Sequence, residues 1–240
     1  YSCKGECKAG TVSCNKGAWT ACSGDVKPVA EICDKKDNDC DGQTDEDNVC
    51  NVPCSHPNLL IILDKSGSMG QNNKWNDVVG VIRNITNTYN GKVRFGLESF
   101  SSAARVDYGL DSCVQDGTKC VSNLQKALSR LSPGGGTNFL AALSTAQTHL
   151  KDVIGKDSVK GRKHRILFIT DGQATCADRE ITVLRSFRVG GVTYDIKTYV
   201  VGWGTGVEVT CLNRMATNAG TAQSGSKKYY SANDYAALLK

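Results

Sequence analysis

From Asn58 onward, short uninterrupted apolar runs alternate with longer stretches in which apolar residues recur every three or four positions. The first pattern marks strands buried on both faces, and the second marks helices that cover a sheet. Leu59–Leu63, Ile166–Ile169 and Ile196–Val201 are the predicted buried strands. Trp75, Val78, Val79, Ile82 and Ile85 keep a helical stripe after the first of them. Val93–Phe100 and Arg105–Leu110 lie close enough to form a hairpin, which places one antiparallel strand at the sheet edge. Further helices are predicted over 138–151, 179–187 and 234–239, with Tyr229-Tyr230 in a last short strand. The order implies an α/β fold: a doubly wound, mostly parallel sheet flanked by helices.

The first 55 residues do not continue this pattern. They hold eight of the 12 cysteines, at positions 3, 7, 14, 22, 33, 40, 50 and 54, and few aliphatic residues. A segment this small and this poor in apolar side chains needs cross-links to fold. The organisation read from the sequence is therefore a small cysteine-rich module over 1–55 and a larger domain over 56–240. Within the module, Thr11 to Cys22 reads as a hairpin with Asn15-Lys16-Gly17 as its turn and Trp19 as its one large apolar anchor.

Zinc is the competing use of such cysteines, but the spacings are wide, and His56, His149 and His164 all lie outside the module. Disulfides are the expectation, with every cysteine paired, and they imply an extracytoplasmic setting, secreted or attached to a cell surface. No apolar run is long enough to span a membrane. The chain starts at Tyr1 with no signal-peptide pattern, as expected of a processed chain or a fragment. The net charge of +5 does not imply nucleic acid. The densest basic run, Lys160, Arg162, Lys163, His164 and Arg165, is short and precedes a buried strand, so a solvated loop is expected there.

Seven acids fall between Asp34 and Asp47. Asp37, Asp39, Asp41, Gly42 and Asp45 occupy the first, third, fifth, sixth and ninth places of a calcium loop of the EF-hand type, spanning about residues 31–48. The twelfth place is Asn48, where a regular EF-hand has Glu. A solvated acidic loop is the alternative, but carboxylates this crowded repel one another unless a cation neutralises them. Ca²⁺ is the expected occupant, held by Asp37, Asp39, Asp41 and Asp45 with the carbonyl of Gln43. The run Cys33-Asp-Lys-Lys-Asp-Asn-Asp-Cys-Asp-Gly42 resembles the cysteine-and-aspartate metal-binding repeat of secreted proteins from gliding and predatory bacteria such as myxobacteria.

The apolar run at 59–63 ends in Asp64-Lys-Ser-Gly-Ser68, which brings a carboxylate and two hydroxyls to one turn. Ligands of open α/β sheets sit at such carboxyl ends, and hard oxygen donors suit a hard divalent cation. Helix capping by Ser and Asp is the plainer use of these residues. Two further pieces favour a metal: Thr137 in the glycine-rich run Pro133-Gly-Gly-Gly-Thr-Asn138, and Asp171 at the end of the strand before Gly172.

Together Asp64, Ser66, Ser68, Thr137 and Asp171 resemble the metal-ion-dependent adhesion site (MIDAS) of von Willebrand factor A domains, and the likeness extends over residues 56–240. It implies Mg²⁺ or Mn²⁺ at this site and a protein ligand whose Asp or Glu carboxylate completes the coordination, hence metal-dependent adhesion. It also implies coupling between ligand engagement and the last helix, here 234–239. The implied topology puts Cys176 and Cys211 on the metal face, where a mutual disulfide would tie the third metal loop to its neighbour. Cys113 and Cys120 would flank a short loop at the other pole and pair locally. Among the module's cysteines, Cys33 with Cys40 is one of many pairings the sequence allows.

Other functions stay open at this point. A structural or assembly subunit of a surface complex would use the same site. A hydrolase with Lys65 beside Ser66 is less favoured, because consecutive turn residues point apart and no histidine is expected near the motif to serve as a base.

Overall fold

The computed structural model describes residues 2–3, 10–21, 23–24, 37, 39–43, 56–159, 161–204 and 206–232. It divides into two compact units, Tyr1–Ser55 and His56–Lys240. In the first unit, β1 (Ser2–Cys3) pairs with β2 (Gly10–Thr11), and β3 (Cys14–Asn15) pairs with β4 (Ala18–Trp19). The second pair is the expected hairpin, turning through Lys16 and Gly17, both with positive φ. Trp19 is 60% exposed, so it is not the buried anchor expected of it. Cys14 is an exposed free thiol, against the expectation that every cysteine is paired.

The second unit is built on β5 (Asn58–Asp64), β6 (Arg94–Phe100), β7 (Ala104–Tyr108), β8 (His164–Thr170), β11 (Lys197–Trp203) and β12 (Tyr230–Ala232). These form a six-stranded sheet in the order β12-β11-β8-β5-β6-β7, parallel except for β7. The chain first steps from β5 to one side, through β6 and β7, and then to the other side through β8. The strand order therefore reverses beside β5, the place where open α/β sheets form their ligand crevice.

Helices cover both faces, so the inner strands are apolar on both. Leu60, Ile62, Phe100 and Phe168 pack under α4 (Phe139–Lys156), α5 (Asp178–Arg185) and α6 (Val209–Asn218). Ile61, Leu63, Phe95 and Leu97 pack under α1 (Lys74–Thr88) and α3 (Cys120–Leu128), with α2 (Leu110–Asp116) at the lower edge. Each fully buried Leu or Ile here contributes about 1.5–3 kcal/mol.

Four expectations need correction. Cys113 and Cys120 do not flank a loop: Cys113 lies in α2 and Cys120 opens α3, and the Cys113–Cys120 disulfide joins the two helices. The strand expected over 105–110 stops at Tyr108, because Leu110 starts a helix that buries Leu110 and Cys113. The helix expected over 179–187 ends at Arg185, and Phe187 enters a hairpin of β9 (Phe187–Val189) and β10 (Val192–Tyr194) that turns through Gly190 and Gly191, both with positive φ. The basic run at 160–165 is not simply solvated. Arg162 is buried and paired with Asp157 at 2.5 Å, and His164 is buried inside β8. The 234–239 helix lies outside the described residues.

Candidate metal centre at the carboxyl edge of the sheet

Asp64 is the last residue of β5 and is fully buried. Its Oδ1 accepts a hydrogen bond from the Ser66 amide at 2.7 Å, and its Oδ2 accepts one from Thr170 Oγ1 at 2.5 Å. The carboxylate is thus fixed from its own turn and from the neighbouring strand end. Burial raises the Asp64 pKa to about 6, and the bonds from Thr170 and Ser66 only partly offset this. Desolvation of this kind is relieved by a nearby cation.

After Asp64 the chain makes a 3-10 turn over Gly67–Gly70, with the buried Ser66 just before it and the half-buried Ser68 within it. Ser66 Oγ and Ser68 Oγ are 3.1 Å apart, and Ser68 Oγ donates to Asp171 Oδ1 at 2.8 Å. Asp171, also buried, directly follows the end of β8. The glycine-rich loop is tied to the first turn by two backbone bonds, Gly67 N to Gly135 O at 3.0 Å and Gly134 N to Lys65 O at 2.7 Å.

That tie brings Thr137 over the site. A Cβ placed on Gly172 would stand 2.9 Å from Thr137 Oγ1 and 3.2 Å from Asp64 Oδ2. The lack of a side chain at Gly172 therefore keeps clear a niche between these two oxygens. Two carboxylates and three hydroxyls, contributed by three separate loops, meet here with no nitrogen or sulfur donor among them. Such an all-oxygen donor set fits a hard divalent cation.

Two residues of this centre have no counterpart in the sequence reading. Thr170 holds Asp64, and it stands in the very Thr-Asp-Gly run that pointed to Asp171. Lys74, at the start of α1, makes a short ion pair with Asp171 Oδ2 and reaches Ser68 O at 3.5 Å. A cation is electrostatically disfavoured at a helix amino terminus. Its position is explained by the acidic centre it faces rather than by the helix that carries it.

The acidic loop forms a second oxygen cluster. Carboxylate oxygens of Asp37, Asp39 and Asp41 lie within 4.8 Å of one another. Asp37 accepts from the Cys40 amide at 2.6 Å and the Gly42 amide at 3.0 Å. Asp41 accepts from the Gln43 amide at 2.8 Å and from Gln43 Nε2 at 3.0 Å. Asp45, the remaining expected ligand, and Cys33, the expected partner of Cys40, lie outside the described residues.

The cysteines of the larger unit pair across the predicted positions. Cys176 and Cys211 form a disulfide that joins the segment after Asp171 to α6.

The von Willebrand factor type A domain model matches residues 58–240, and the chain belongs to that family. Solved structures with the same fold include a von Willebrand factor type A protein from Catenulispora acidiphila, 20% identical, with a TM-score of 0.60 over 77% of this chain and 40% of that one. Proximal thread matrix protein 1 from the mussel byssus, solved with zinc in its MIDAS motif, is 17% identical, with a TM-score of 0.57 over 78% of this chain and 44% of that one. An aerotolerance-related membrane protein from Bacteroides fragilis is 16% identical, with a TM-score of 0.58 over 76% of this chain and 94% of that one. The chain thus spans less than half the length of the first two. Among the described residues, no helix is long and apolar enough to cross a membrane.

Proposed function

We propose that the larger unit is an extracytoplasmic, metal-dependent docking head that binds a protein ligand through an Asp or Glu carboxylate. The observation that carries this reading is the linked set at the sheet edge, in which Ser66, Ser68 and Asp171 are joined by hydrogen bonds and Asp64 and Thr137 flank Gly172. These five residues would hold Mg²⁺ or Mn²⁺, and zinc in the mussel protein's motif widens the candidates for testing. A cation bound there would supply a Lewis-acidic position for an anionic ligand. The chain's own part is to present hydroxyls rather than further carboxylates, which leaves the centre short of negative charge. Thr170 and the Ser66 amide hold Asp64 still, so the centre is ordered before any ligand arrives.

The extracytoplasmic setting is supported by the Cys113–Cys120 and Cys176–Cys211 disulfides, which accumulate where thiols are not kept reduced. In the small unit, the Asp37, Asp39 and Asp41 cluster is read as a structural Ca²⁺ loop. A subunit role in a cell-surface assembly would use the same chemistry at the sheet edge, with the carboxylate supplied by a sister protein.

Hydrolysis is disfavoured by the placement of the candidate base. Lys65 Nζ lies 3.5 Å from Ser101 Oγ, while Ser66 Oγ faces Ser68. All three histidines sit toward the other pole. His56 precedes β5, His164 opens β8, and His149 accepts from the Leu110 amide at 3.2 Å.

The test is binding of the purified chain to bacterial surface extracts and to carboxylate-bearing peptides in Mg²⁺, in EDTA, and with Thr137→Ala. Binding should require the metal and weaken with Thr137→Ala. Equal binding in all three conditions would reject the reading.

A further inference from the structure

Beside the candidate metal centre, under the β6–β7 turn, lies a pocket of about 290 Å³. Lys65, Arg105 and Arg130 line it together with Ser99, Ser101 and Ser132, and none of its lining residues is acidic. Arg105 is paired with Asp107 at 2.6 Å. Among the described residues, no ion pair is made by Lys65 or Arg130. Ser99 is fully buried, and its Oγ has no hydrogen-bond partner. Three cationic side chains around one concavity with no acidic lining form a site suited to an oxyanion.

The pocket shares its wall with the metal centre. Lys65 stands between Asp64 and Ser66, and its carbonyl accepts from Gly134 in the loop that carries Thr137. On the other side, a Cβ at Gly135 would meet Ser101 Oγ at 3.2 Å, and the Gly136 amide donates to Ser102 Oγ at 2.9 Å. A ligand segment lying on the loop 133–138 therefore passes from one site to the other without leaving the surface.

Resting on the metal-dependent reading above, we infer that the pocket of Lys65, Arg105 and Arg130 binds a second acidic group of the same peptide segment whose carboxylate engages the metal centre. The preferred ligand is thus an acidic stretch of a partner protein rather than a single isolated carboxylate. The metal centre provides one anchor, and the cationic pocket sets which sequences bind. Bidentate arginine contacts to a carboxylate give this second position its geometry.

The test uses the whole chain and fluorescein-labelled hexaglutamate, followed by fluorescence anisotropy in Mg²⁺ and in EDTA. Arg130→Gln should weaken binding about tenfold, equivalent to about 1.4 kcal/mol. Lys65→Gln should act in the same direction, and Arg130→Lys should restore part of the loss. Lys151→Gln, which removes a charge from the exposed side of α4, should leave affinity unchanged. Arg130 lies on the surface, and matching unfolding midpoints will verify that the variants are folded.

Binding that needs Mg²⁺ but is unaffected by Arg130→Gln and Lys65→Gln overturns the pocket assignment and leaves the metal reading standing. Binding that survives EDTA yet falls with Arg130→Gln supports the pocket and rejects the metal reading. Failure of the wild-type chain to bind hexaglutamate in either condition overturns the acidic-segment assignment. So does displacement by a heparin tetrasaccharide at more than tenfold lower concentration, which would assign the pocket to a sulfated glycan.

Discussion

The two oxygen clusters of this chain are assembled in opposite ways. At the sheet edge, Asp64 and Asp171 come from strand ends more than a hundred positions apart, are buried, and rest on the apolar core of the sheet. In the acidic loop, Asp37, Asp39 and Asp41 lie within five consecutive residues, are partly or fully exposed, and are ordered by amides of their own loop. The first arrangement is positioned by the fold and would lend its order to an ion. On the proposed reading the second would gain much of its order from an ion, because carboxylates that close repel one another. Metal removal should therefore have different consequences in the two places.

The largest effect is expected in the small unit. Chelation with EGTA should convert the segment around 31–48 from protease-resistant to rapidly cleaved, while the larger unit stays intact under the same digestion. Mass spectrometry of timed digests reads both at once. Identical cleavage with and without EGTA would remove the structural calcium site and the contrast with it.

Asp64→Ala tests the other half. Mg²⁺ or Mn²⁺ binding should disappear by calorimetry, yet the unfolding midpoint in EDTA should shift by only a few degrees, since Leu60, Ile61, Ile62 and Leu63 remain buried. Loss of the folded state would mean that Asp64 is part of the scaffold rather than its passenger. Anomalous scattering from Mn²⁺-soaked crystals should place a peak beside Ser66 and Ser68.

How far the sequence foretold this depends on the range of the interaction. The β5 run, the Asp-x-Ser-x-Ser turn and the Thr-Asp-Gly run are local patterns, so the strands and five side chains could be proposed before any coordinates. Thr170 to Asp64 and Lys74 to Asp171 cross 106 and 97 positions, and no local signal announces either. The Cys176–Cys211 disulfide followed from topology rather than spacing. Other elements carry local signals as well. Val121, Leu124 and Leu128 have helical spacing, and Val189-Gly-Gly-Val192 is a two-residue hairpin signal. Glu98 shows the reverse case: an acid in a strand that also holds Arg94 and Ser99 gives no hint that it is wholly buried.

Glu98 also sharpens the comparison, because it is a core carboxyl with no cation to offset it. Neither of its oxygens has a hydrogen-bond partner, and burial, then the charge of Asp107, raises its pKa to about 9. The folded state holds this proton where the unfolded chain, with an ordinary Glu pKa, has released it. Its contribution is thus fully present below about pH 4.5 and lost as pH rises toward 9. Glu98→Gln should raise stability by about 2–4 kcal/mol at pH 8 and by much less at pH 5. Urea unfolding at the two values reads the difference, and a pH-independent gain would show that packing, not the proton, is responsible.

The smallest effect is expected at Lys74. Its ammonium group partly neutralises Asp171 in the centre, so an incoming cation must compete with a tethered one. Removing it with Lys74→Met keeps the length and apolar stem of the side chain but leaves Asp64 and Asp171 without a positive neighbour from α1. Two consequences follow in opposite directions. Without metal, the variant should be less stable than the parent chain by about 1–2 kcal/mol, since the buried Asp171 carboxylate loses one partner and keeps the bond from Ser68. With metal, affinity for Mn²⁺ should rise about tenfold, because no ion pair has to be loosened first. Titration calorimetry and unfolding midpoints with and without Mn²⁺ separate the two. Lower affinity for Mn²⁺ in the variant would mean that Lys74 orients Asp171 for the ion instead of competing with it, and the larger unit would then share the small unit's dependence on local charge for the order of its site.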